Sequence, residues 1–171
     1  DKAIKGNSFK FLLNLFFEIY FFLFSLYFVI LSNNLQLKVT LFSLMICCIG
    51  SDLGGYIIGK IFRGPKLTKI SPKKTISGSV GSLIFANMFL IIIFLILTEQ
   101  FNFQILIIGS ITSIFCQLGD LLFSYLKRRA SMKDTGNFLP GHGGILDRID
   151  GILFGIPLGF ITILILNDEK V

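Results

Sequence analysis

Apolar residues collect along the chain into five runs of about 20 residues, each long enough to cross the hydrocarbon of a bilayer as a helix. They cover residues 9–31, 37–62, 79–98, 103–126 and 146–167. Two of the loops between them are polar and basic: 63–77 carries Lys66, Lys69, Lys73 and Lys74, and 127–144 carries Lys127, Arg128, Arg129 and Lys133. The other two, 32–36 and 99–102, contain no Lys or Arg. Cytoplasmic loops of membrane proteins carry the excess of positive charge. The alternation therefore predicts that both basic loops and the amino terminus, with Lys2, Lys5 and Lys10, lie in the cytoplasm, with the carboxyl terminus outside. The expected fold is all-α, an integral membrane bundle of about five transmembrane helices with two basic cytoplasmic loops. No linker or shift in composition divides residues 1–171, so one membrane-embedded domain is expected.

Composition strengthens the membrane assignment. The chain is 53% hydrophobic and only 15% charged, with a mean hydropathy of +0.80, whereas soluble domains are about a quarter charged. A net charge of +6 suits anionic lipid or nucleotide partners, although basic cytoplasmic loops account for most of it. Nucleic acid is not an expected partner. The chain starts at Asp1 without an initiator Met, and further amino-terminal helices are expected upstream. Cys47, Cys48 and Cys116 lie in apolar runs without a CxxC pair and read as small buried hydrophobes.

Charge changes the picture at one place, residues 124–150, SYLKRRASMKDTGNFLPGHGGILDRID. Charged side chains between apolar spans are costly, and a dense cluster of them points to function. The signs are mixed. Carboxylates suit a hard cation such as Mg²⁺, and Arg and Lys suit phosphate oxygens. Pro140 and the glycines around His142 exclude regular helix and make a turn whose N–H groups could face an anion. His142 itself reads as a hydrogen-bond donor to phosphate or a loop-shaping residue rather than a proton carrier.

The acids fall into register with this segment. Asp52 precedes Lys60 by eight residues and Asp120 precedes Lys127 by seven, so both are expected about 10–12 Å inside the basic ends of their helices. Two carboxylates at one depth can share a cation. Asp147 and Asp150 are spaced i, i+3 and are expected on one face of the first turn of the last span. The alternative for each acid is an ion pair with a neighbouring Lys or Arg inside the bundle. The second polar motif, SPKKT at 71–75, presents Ser71, Lys73, Lys74 and Thr75 as donors. Alone it could simply touch lipid headgroups; beside the acids it forms a plausible triphosphate clamp.

With these residues in hand, the chain resembles the phosphatidate cytidylyltransferase (CDP-diacylglycerol synthase) family. The run at 124–150 looks like that family's signature across its length, and DLGGYIIGK (52–60) and SPKKT (71–75) are similar to two further family motifs in the expected order. One position departs from the pattern: the family usually carries an acid before the glycine that follows SPKKT, and here Ser77 precedes Gly78. The resemblance implies transfer of a cytidylyl group from CTP to phosphatidic acid, giving CDP-diacylglycerol and pyrophosphate. It implies Mg²⁺ with K⁺ as a second ion, held by Asp120, Asp147 and Asp150, and a catalytic set that also contains Lys133 and Asp134. Substrate contacts are implied at Asp52, Ser71, Lys73, Lys74, Thr75, Lys127, Arg128, His142, Gly143, Gly144 and Arg148. It also implies a homodimer in a bacterial-type plasma membrane, with the site facing the cytoplasm. Other readings of the same residues are a CTP-dependent transferase or kinase acting on an isoprenoid or ether lipid, an inactive relative, and an ion-coupled transporter using the intramembrane acids.

Overall fold

The computed structural model describes residues 2–68, 71, 73–129 and 149–168. Among the described residues five long helices appear, each overlapping one of the five apolar runs: α1 (Lys2–Leu31), α2 (Leu35–Phe62), α3 (Ile76–Thr98), α4 (Gln104–Arg129) and α5 (Ile152–Asp168). Helices α2, α3 and α4 are long and apolar enough to cross a membrane; the apolar segments Phe17–Ile30 and Ile152–Asn167 are shorter. The chain is an all-α membrane protein.

Contacts group the chain into two units, Asp1–Val39 and Thr40–Val171. In the first, α1 ends where the Ser32 hydroxyl and amide turn back on Val29 and Phe28. Asn34 then opens α2, its side-chain oxygen accepting from the Gln36 amide at 3.1 Å, the usual service of an Asn cap.

The second unit is built around α4. Antiparallel to it runs α3, held by Asn87 Nδ2 donating to Ser110 Oγ and by Ser79 Oγ donating to Gln117 Oε1. On another side α2 runs parallel to α4, with the Ser51 and Ser113 hydroxyls 2.8 Å apart and fully buried. Helix α5 returns antiparallel, with the rings of Phe123 and Phe154 edge to face at 6.2 Å. Bilayer lipid offers no hydrophobic drive between helices, so small residues that allow close approach must supply the packing. The interior follows this rule. Its fully buried residues include Ser51, Cys47, Cys48, Ala86, Thr112, Ser113 and Cys116, while Ile84, Ile92, Ile96, Leu118 and Ile165 are exposed. All three cysteines are free and buried, as their apolar surroundings predict.

A close backbone approach joins α2 to α3. A Cβ on Gly54 would collide with the Gly81 carbonyl, and one on Gly81 would lie 2.7 Å from the Gly54 carbonyl. Each glycine therefore makes room for the other's backbone.

One expectation is corrected here. The hydrophobic pattern predicts unbroken helix over 146–167; residues 146–148 lie outside the described residues, Ile149 is helical, Asp150 and Gly151 form a turn, and α5 starts at Ile152. Gly151 is the reason: a Cβ there would sit 2.7 Å from Cys116 Sγ, so the chain bends where it presses on α4. The Gly151 carbonyl then accepts from the Gly155 amide at 2.9 Å and starts the new helix.

Candidate functional site

Three local structures converge at the basic end of the second unit. The first is one face of α2, where Asp52, Tyr56 and Lys60 follow each other at i, i+4 spacing. The helix stops at Arg63, whose φ of 44° is the left-handed conformation that ends helices, and Gly64 and Pro65 prevent its continuation.

The second is the loop from there to α3, folded as a small hairpin. Leu67 N–H donates to Lys74 O at 2.8 Å, and Ile76 N–H to Pro65 O at 2.9 Å. Thr75 caps α3, its hydroxyl oxygen accepting from the Gly78 amide at 3.1 Å. Ser77, where the family pattern usually has an acid, accepts from the Gly64 amide at 3.2 Å and lies 3.1 Å from the Thr75 hydroxyl. It fastens the start of the loop to its end. The Thr75 side chain, expected as a phosphate donor, is thus engaged in holding the helix end. Thr75→Val should lower stability by about 1 kcal/mol through the lost cap, read as a fall in melting temperature of the detergent-solubilised protein. An unchanged melting temperature would show that the cap carries no weight.

The third is the last two turns of α4 with the turn before α5. Asp120 accepts from Ser124 Oγ at 3.3 Å and pairs through its other oxygen with Lys74 from the loop. Asp150 accepts from the Gly151 amide at 2.9 Å and pairs with Lys127 at 3.4 Å. The ion pairs proposed as alternatives for these two acids therefore exist, and both sit at the edge of a cavity of about 450 Å³.

Asp52, Asp120 and Asp150 all line that cavity, together with Ser71, Lys73, Lys74 and Thr75. The depth argument for Asp52 and Asp120 holds: the two helices bring their carboxylates to one place. Among the described residues, Asp52 has a weak donor, the Cys116 thiol, at 3.9 Å. Lys127 reaches the cavity through Asp150. Arg128 is exposed in the last turn of α4 and does not line the cavity. Lys133, Asp134, His142, Gly143, Gly144, Asp147 and Arg148 lie outside the described residues.

The cavity also contains residues that the sequence reading did not single out: Tyr56, Ser79, Ser82 and Gln117. Gln117 was legible. It is an uncharged polar residue one turn before Asp120 in an otherwise apolar span, and its amide donates to Ser113 Oγ at 3.3 Å and to the Ser79 carbonyl at 3.4 Å. It ties α4 to α3 beside the acids.

Chemically the cavity is an all-oxygen acidic patch facing lysines. Hard divalent cations take oxygen ligands, and phosphate oxygens take Lys, so the donor set suits a cation and a polyphosphate together. Among the described residues no three His, Cys, Asp or Glu side chains are grouped closely enough to hold a metal alone. Of the carboxylates expected to hold a metal, Asp120 and Asp150 line the cavity, and Asp147 lies outside the described residues.

Residues 3–166 match the sequence profile of the cytidylyltransferase family. Over 134 residues the chain is 40% identical to phosphatidate cytidylyltransferase of Bacillus subtilis, covering 77% of this chain and 50% of that protein. Over 110 residues it is 44% identical to the phosphatidate cytidylyltransferase of Staphylococcus haemolyticus, covering 63% of this chain and 42% of that protein. The protein of that name from Rickettsia felis is 42% identical over 134 residues, 72% of this chain and 59% of that protein. The chain spans about half the length of these curated relatives.

Proposed function

The chain belongs to the cytidylyltransferase family, and we propose that it is a phosphatidate cytidylyltransferase, converting CTP and phosphatidic acid to CDP-diacylglycerol and pyrophosphate. The observation that carries this reading is the convergence of Asp52, Asp120 and Asp150 with Lys73 and Lys74 around one cavity.

In the reaction an oxygen of the lipid phosphate attacks the α-phosphorus of CTP, a new P–O bond forms, and the bond to the β-phosphate oxygen breaks. Pyrophosphate leaves with the electron pair. A phosphate monoester is already a competent nucleophile at neutral pH, so the protein's task is to align two anions and offset their repulsion. Lys73 and Lys74, on a hairpin fixed at both ends, bind the triphosphate. Lys127, paired with Asp150, would turn to the lipid phosphate when that carboxylate takes a cation. Asp120, Asp147 and Asp150 would hold Mg²⁺, with K⁺ as a second ion. Bound there, Mg²⁺ would neutralise charge on the phosphate oxygens. Lys74 now occupies Asp120 and would turn to the nucleotide when the carboxylate takes a cation.

The basic end of the bundle suits the cytoplasmic face by its charge, where CTP is supplied, and a cavity at that end would admit the phosphate of a lipid headgroup. The test is incorporation of labelled CTP into lipid by membranes containing the protein, with the product identified by mass spectrometry. A nucleotide-linked diacylglycerol that disappears on chelation of divalent ions is expected. A simple phosphorylated lipid as product would overturn the reading in favour of a kinase.

A further inference from the structure

The phosphates of a nucleotide have an evident place in this cavity; its base does not. The base needs a flat apolar surface, which the carboxylates do not offer. Among the described residues, Tyr56 is the one aromatic side chain in the lining, and Leu67 is the one large aliphatic side chain. Tyr56 lies one helical turn beyond Asp52 on the same face of α2, about 6 Å further toward the basic end of the helix. Its side chain is 66% exposed. Leu67 is on the loop arm that pairs with Lys74, its amide bonded to the Lys74 carbonyl at 2.8 Å. The arm that carries the phosphate-binding lysine is thus tied to the arm that carries the aliphatic surface. Lys60, one further turn along α2, stands 5.5 Å from the centroid of the Tyr56 ring. It also reaches the phenol oxygen at 3.5 Å, which steadies the ring at the rim.

We infer that Tyr56 is the stacking platform for the cytosine base of CTP, with Leu67 completing the apolar seat. The inference rests on the nucleotidyl-transfer reading above and adds to it the residue that seats the base. Stacking uses the ring face and is tolerant of base identity, so Tyr56 supplies nucleotide affinity rather than selection of cytosine. Its hydroxyl, engaged by Lys60, is dispensable to that task. The competing role is an interface tyrosine, anchored at headgroup level as such residues commonly are. An anchor would have no bearing on nucleotide affinity.

The experiment compares Tyr56→Ala, Tyr56→Leu and Tyr56→Phe in membranes containing the protein, by turnover and by direct binding of CTP and of inorganic tripolyphosphate. Tyr56→Ala should raise KM and Kd for CTP about tenfold, at the scale of one base–aromatic contact. The KM for phosphatidic acid and the affinity for tripolyphosphate should stay at their wild-type values. Tyr56→Leu should behave like Tyr56→Ala, and Tyr56→Phe should restore tight CTP binding. Equal weakening of CTP and tripolyphosphate, or a change confined to phosphatidic acid, would overturn the inference. So would an unchanged CTP affinity in Tyr56→Ala. Tyr56-dependent CTP binding in a protein that forms no nucleotide-linked lipid would refute the proposed reaction while leaving the base seat standing.

Discussion

Asp120→Asn is expected to lower CTP-dependent lipid turnover by about a hundredfold to a thousandfold, the scale on which enzymes lose rate when one charge-stabilising group at the reacting centre is removed. Asp120 is placed where loop, helix and cavity meet: Lys74 pairs with it from the hairpin, and Ser124 donates to it along α4. Asn keeps the shape and the acceptor oxygen but loses the charge. The fold should survive. The pair with Lys74 is partly exposed, at 27% and 31% for the two side chains, and solvent-screened pairs contribute only about 0–1 kcal/mol. The measurement is labelled CTP incorporation by membranes carrying equal amounts of wild-type and variant protein, with melting temperature alongside. Normal turnover would remove Asp120 from the chemistry. Lost turnover with a collapsed melting temperature would reassign it to structure.

Gly81→Leu is expected to destabilise the bundle by about 3 kcal/mol or more, beyond the cost of ordinary overpacking, because one of the obstructing groups is backbone. The new Cβ would lie 2.7 Å from the Gly54 carbonyl oxygen and 2.6 Å from Ile58 Cγ1. A side chain can rotate away; a carbonyl on a neighbouring helix moves only with its helix. Separation of α2 from α3 would also pull Thr75 from Gly59, where a Cβ would already lie 3.0 Å from the Thr75 hydroxyl. The melting temperature should fall by roughly 6–12 °C on the scale of a domain this size. The three buried cysteines give the readout, since a thiol-reactive dye reports their exposure on heating. A melting temperature unchanged by Gly81→Leu would mean that the two helices are not in contact in the membrane.

Much of this was legible because two periodicities coincide in the chain. The length of an apolar run finds a spanning helix, and the three long helices begin and end within three residues of the runs at 37–62, 79–98 and 103–126. The spacing from each acid to the basic helix end then places Asp52 and Asp120 at one level. Neither rule sees contacts between helices. The break at Asp150 and Gly151 was not foreseen because Gly151 meets Cys116, a neighbour far away in sequence. Thr75, read as a phosphate donor from its polar motif, also caps α3 from its position before Ile76, which the motif did not reveal. Gln117 and Tyr56 escaped notice because an amide and a phenol carry no charge to draw attention inside an apolar run.

Behind the carboxylates the helices close on a layer of Cys48, Ser51, Thr112, Ser113 and Cys116, each with no accessible surface. Any membrane protein that sinks acidic groups between its helices risks becoming a leak, because water and ions follow charge. Here the polar pit is corked by thiols and hydroxyls that satisfy one another, Ser51 against Ser113 and Thr112 on its own helix. These five positions offer an ion drawn to Asp52 or Asp120 no accessible surface beyond the cavity. A layer so closed would let the protein concentrate charge between its helices without dissipating the gradients of the membrane that houses it.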